Sequence, residues 1–69
     1  MIHLSTDTDI TKNQITYWFK TNGKTFGLRY EGDNQTESIV HRVGDTEQTQ
    51  TCMSSVFIDQ IRAAKGMLK

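Results

Sequence analysis

The chain has 69 residues, below the roughly 100–200 of a typical domain, so it is at most one small domain and a two-domain enzyme is excluded. Hydrophobic residues make up 35% and charged residues 23%, which is polar for a globular domain but too rich in periodic apolar residues for a disordered one. Eight Lys and Arg balance eight Asp and Glu, and zero formal charge gives no electrostatic reason to bind phosphate backbones or anionic membranes.

Cys52, the single cysteine, cannot form an internal disulfide, which points to a reducing, cytoplasmic setting. Met1 to Ser5 has no basic segment followed by an apolar stretch, and no run approaches the length of a membrane helix, so secretion and membrane insertion are disfavoured. With no proline, repeat or linker, residues 1–69 read as one domain. Ten residues are Thr, clustered at Thr6 to Thr11 and Thr46 to Thr51, and β-branched polar side chains suit a half-wet sheet.

In chain order, Ile2, His3 and Leu4 suggest a short strand before the polar stretch Asp7 to Asn13. Asp7-Thr8-Asp9 begins like a calcium loop, but the sixth position is Lys12 instead of Gly and the twelfth is Trp18 instead of Glu. The strongest signal follows: Ile15 to Thr21, Asn22-Gly23, then Lys24 to Glu31. Asn-Gly supplies two residues tolerant of positive φ, as a two-residue type I′ hairpin requires. That loop sets Phe19 opposite Phe26, Tyr17 opposite Leu28 and Ile15 opposite Tyr30 on one face. The other face pairs Lys20 with Thr25, Trp18 with Gly27, Thr16 with Arg29 and Gln14 with Glu31.

Gly32 to Thr36 is turn chemistry. A second hairpin runs from Glu37 to Val43, turns at Gly44-Asp45 with Gly44 fitting type II′, and sets Arg42 opposite Glu47. Thr46 to Thr51 holds no large apolar residue and reads as an exposed edge strand or a polar loop. From Ser54 or Ser55 the period becomes helical: Phe57, Ile58, Ile61, Ala64 or Lys65, and Leu68 share a face, with a serine available as N-cap. Arg62, Lys65 and Lys69 suit the C-terminal half of the helix dipole.

The expected fold is α+β: a small antiparallel sheet of three to four strands, in two hairpins, with one C-terminal amphipathic helix packed on one face. Its core comprises Ile15, Tyr17, Phe19, Phe26, Leu28, Tyr30, Ile39, Val43, Phe57, Ile58, Ile61 and Leu68.

Two surfaces are left over. Trp18 stands alone on the polar face, and an exposed tryptophan beside Thr16, Lys20 and Arg29 resembles a binding hot spot. The plainer reading has it shield Gly27 and stack on Arg29. Met53, Val56, Ala63 and Met67 form a second apolar helix stripe about 100° from the first, either part of a wide buried face or an interface for a second subunit or a partner.

His3, His41 and Cys52 are the only strong nucleophile, base or soft-metal candidates, and no paired zinc-ligand spacing or phosphate-binding glycine pattern occurs. His41, alternating with Ile39 and Val43, reads as a satisfied half-buried histidine, and Cys52 as a packed junction residue. No catalytic, cofactor or metal site is expected. The chain therefore reads as a non-enzymatic protein-interaction module, homodimeric, acting as a regulator or inhibitor of a larger assembly, in the size class of bacterial or phage-encoded inhibitors. The alternative is a nucleic-acid-binding regulator using Lys20, Lys24, Arg29 and Trp18 of the first hairpin, with Glu31, Glu37 and the zero balance against it.

Overall fold

The computed structural model describes residues 1–49 and 54–68. Among them the chain forms five strands, β1 (Ile2–Asp9), β2 (Gln14–Thr21), β3 (Lys24–Glu31), β4 (Thr36–Val43) and β5 (Thr46–Thr49), then one helix, α1 (Ser55–Met67). The strands lie in chain order in one sheet, each antiparallel to the next. This is the expected α+β arrangement with five strands instead of three to four.

The additional strand is β1, whose eight residues continue through Ser5 to Asp9, well past the apolar start. Polar residues are tolerated there because β1 is an edge strand and its side chains are exposed at nearly every position. Apolar alternation marks a strand that buries one face, so it gives no signal for one that buries neither. A register shift between His3 and Ser5 interrupts the ladder, a device that blunts an open edge.

Both hairpins take the expected registers. Asn22 and Gly23 have φ of 50° and 76°, as type I′ requires, and Phe19 faces Phe26 while Trp18 faces Gly27. Gly44 has φ 61°, and Arg42 faces Glu47. Thr46 to Thr49 is an edge strand, which decides between strand and loop for that part of the segment; Gln50 and Thr51 lie outside the described residues.

α1 is capped by Ser54, whose Oγ accepts from the Phe57 amide at 3.2 Å. Its inner face buries Ile61 and Ala64 against Phe19, Phe26, Leu28 and Ile39, flanked by Tyr17, Tyr30, Phe57 and Leu68. Phe57 meets Phe26 edge-on at 5.5 Å. At the other end of the helix, Lys65 Nζ donates to Glu37 Oε1 at 2.9 Å and ties α1 to β4.

Three expected core residues are outside it: Ile15, at the start of β2, is only half-buried and lies beyond the cluster, and Val43 and Ile58 are exposed. Val43 is 65% exposed, because the first turn of α1 already ends over His41, with Phe57 5.0 Å from its ring, and no helix remains to cover the next turnward position. Ile58 is 42% exposed, since it lies 100° around the helix from Phe57 and outside the stripe Phe57, Ile61, Ala64 and Leu68.

Candidate functional site

On the sheet face opposite α1, Trp18 is 2% exposed, which overturns the expectation of a solvent-facing tryptophan. The cause lies in its neighbours. A Cβ on Gly27 would sit 2.9 Å from Cγ2 of both Thr16 and Val40 and 3.0 Å from Trp18 Cε3, so the missing methyl is what lets these side chains close together. Trp18 Nε1 donates to Asp7 Oδ2 on β1 at 2.9 Å. The Arg42 guanidinium on β4 covers the ring at 4.2 Å from its centroid.

Arg29, the stacking partner expected from the sequence, is engaged elsewhere: its Nε donates to Thr16 Oγ1 and its Nη2 to Glu47 Oε2, both at 2.9 Å. Arg42 Nη2 approaches Glu47 Oε1 at 3.6 Å. The hydrogen bond from Arg29 holds the Glu47 carboxyl below the ordinary carboxylate range against a smaller opposing effect of burial, helped by the charges of Arg29 and Arg42. The four residues Thr16, Trp18, Lys20 and Arg29 thus share one face as expected, but Thr16 and Trp18 are buried, Arg29 is bound, and Lys20 alone is exposed. The contacts of Asp7 and Arg42 with Trp18 were not anticipated from sequence, because Asp7 comes from β1, whose pairing with β2 leaves no periodic signal, and Arg42 reaches across from β4, two strands away.

The second candidate surface stands differently. Val56 is 64% and Met67 49% exposed, and Ala63 between them is exposed, so this stripe of α1 faces solvent. Met53, the fourth member, lies outside the described residues, as does Cys52.

His41 is half-buried as expected, yet its Nε2 is buried with no hydrogen-bond partner among the described residues. Phe26 opposite it and Phe57 above it offer no polar group. His3 Nε2 lies 3.1 Å from both Ser5 O and Thr6 Oγ1, within its own strand.

One further feature was not visible in the sequence: Ile10, in the turn between β1 and β2, is 88% exposed. The turn is tightly held. Asp9 Oδ1 accepts from Thr11 Oγ1 at 2.6 Å and from the Lys12 amide at 3.2 Å, which lowers the Asp9 pKa. Asn13, at φ 49°, closes the turn through its amide to Ile10 O and donates through Nδ2 to Asp33 Oδ1 at 3.0 Å.

Among the described residues no group of three or more His, Cys, Asp or Glu is placed to hold a metal ion, and no helix is long and apolar enough to cross a membrane. Comparison with models of protein families, with curated proteins and with solved structures finds no match to this chain.

Proposed function

We propose that this protein is a small non-enzymatic interaction module, a regulator or inhibitor that docks on a larger protein assembly through the exposed flank of α1. The observation that carries the reading is the stripe Val56, Ala63 and Met67, left in solvent on a helix whose other stripe already fills the core. Burying the exposed parts of Val56 and Met67, 64% and 49%, against a partner contributes about 1–2 kcal/mol each. Next to the stripe, Asp59 and Arg62 offset one another at 3.9 Å, so an apolar, near-neutral groove is the complementary partner surface. A cytoplasmic setting fits the single cysteine.

Trp18 has less support as the contact residue, because it is packed under Arg42 and over Gly27. The nucleic-acid reading loses support in the same way: Arg29 is bound to Glu47 and Arg42 is stacked, leaving Lys20 and Lys24 as the basic residues of that hairpin. The test is a pull-down from host lysate with mass spectrometry, comparing the wild type with a Val56→Ser, Met67→Ser double variant. Both positions are exposed, so the melting temperature should stay close to wild type. A partner enriched by the wild type and lost by the variant supports the reading; equal enrichment by both overturns it. Retardation of DNA or RNA with a steep salt dependence would favour the alternative.

A further inference from the structure

We infer that copies of this chain associate head to tail, the Ile10 turn of one copy seated in the cavity between the first turn of α1 and the β2–β3 hairpin of the next. The knob is unusually prepared. Ile10 is 88% exposed, the highest value among the exposed large hydrophobic residues, and contributes nothing to its own core. Its turn is fixed by hydrogen bonds from Thr11, Lys12 and Asn13, and by the Gly32 amide, which donates to Asn13 O at 2.9 Å. A rigid turn has already lost the conformational freedom that a docking loop otherwise gives up on binding.

The receptor is a cavity of about 530 Å³, lined by Lys24, Phe26, His41, Val56, Phe57 and Gln60, among others. That volume lies within the range of ordinary ligand sites and easily admits one isoleucine side chain with the adjoining turn. Phe26, Val56 and Phe57 give it apolar walls, and Lys24 brings a positive charge, while no carboxylate lines it among the described residues.

Charge selects the pairing. Asp9 opens the Ile10 turn and Asp33 is bonded to it, against Lys12 within the turn; Arg29, which lies on the same side, is neutralised by Glu47. An acidic-flanked knob and a lysine-edged apolar cavity are complementary. The two cannot meet within one chain: the knob adjoins the start of β2 and the cavity adjoins its end, roughly 23 Å away at about 3.3 Å per residue. Such a contact joins two different surfaces and adds copies until the geometry closes into a ring.

A contact with two unlike halves has a signature that a symmetric one lacks. Ile10→Ser removes the knob and leaves the cavity. Val56→Glu, at a 64% exposed site, puts a carboxylate at the cavity wall facing the incoming aspartates, and its place in the first helical turn suits the dipole, so folding should survive. Sedimentation velocity on purified protein, from micromolar to near-millimolar concentration, should show the mass rising for wild type. Each variant alone should associate roughly 10- to 100-fold more weakly. Their equimolar mixture should form a dimer that stops at two copies, because only one knob and one cavity remain competent. A wild type monomeric throughout, variants that associate like wild type, or a mixture no larger than its components overturns the proposal. The measurement contains no partner, so its failure leaves the docking reading of α1 untouched.

Discussion

Replacing Gly27 by Ala tests whether the face opposite α1 is a packed second core. An alanine is intrinsically favoured over glycine in a strand, by roughly 0.5–1 kcal/mol, so without neighbours the substitution would stabilise. Here the new methyl meets Thr16 Cγ2 and Val40 Cγ2 at 2.9 Å and Trp18 Cε3 at 3.0 Å. None of these is the free end of a flexible side chain. Overpacking of this kind costs typically about 1–3 kcal/mol and outweighs the propensity gain. A net loss of about 1–2 kcal/mol lowers the melting temperature by roughly 4–16 °C in a domain of this size.

Gly66→Ala is the matched control. It lies within α1, nothing is within 4 Å of its added methyl, and the gain in helix propensity should raise stability by about 0.5–1 kcal/mol. Thermal melts followed by circular dichroism compare the two, with Trp18 fluorescence as a local reporter. A partial rescue of Gly27→Ala by Thr16→Ser, which deletes the clashing Cγ2 but keeps the hydroxyl that accepts from Arg29, would assign the loss to this contact. Gly27→Ala melting at or above the wild-type temperature would refute the account of Trp18 as buried by close approach to a bare backbone.

Asp7→Ala leaves the part-buried Trp18 Nε1 without its acceptor and should cost about 1–3 kcal/mol, with red-shifted tryptophan emission; unchanged emission would show that the ring does not depend on β1. Burial, then the hydrogen bond and charge of Glu37 and the charge of Tyr17, push the Tyr30 pKa from its ordinary 10.0 up to about 12. A raised folded pKa means that the neutral phenol's contribution is fully present below 10.0 and is lost as pH rises towards about 12. Ultraviolet titration should show a late-ionising tyrosine, brought nearer its ordinary value by Glu37→Gln. Glu37 itself is pushed up by burial, but hydrogen bonds from Lys65 and Tyr30, with the Lys65 charge, outweigh this and leave its pKa below the ordinary 4.5. Its contribution is present above 4.5 and lost as pH falls through the folded value, so acid melts of Glu37→Gln should decline less steeply than wild type.

The sequence by itself determined everything that depends on near neighbours. Asn22-Gly23 and Gly44-Asp45 set both hairpin registers, because two-residue loops leave only one pairing that puts Phe19, Phe26 and Leu28 together. A serine cap at Ser54 or Ser55 and the helical spacing of Phe57, Ile61 and Leu68 set the helix, while the structure chose Ser54 as the cap and left Ile58 out of the buried stripe. The tertiary structure decided what depends on strands that are distant in sequence. β1 needed β2 as a template, since its polar residues bury no face and so carry no periodic signal. Trp18 looked exposed from the two strands of its own hairpin, but Asp7 from β1 and Val40 and Arg42 from β4 close over it. The even charge balance showed its arrangement only in three dimensions, where Arg29 is held by Glu47, Lys65 reaches Glu37, Asp7 holds the Trp18 indole, and Asp9 and Asp33 brace the Ile10 turn. A sequence records which charges are present, whereas pairing is a matter of distance, and distances between non-adjacent strands exist only once the sheet has formed.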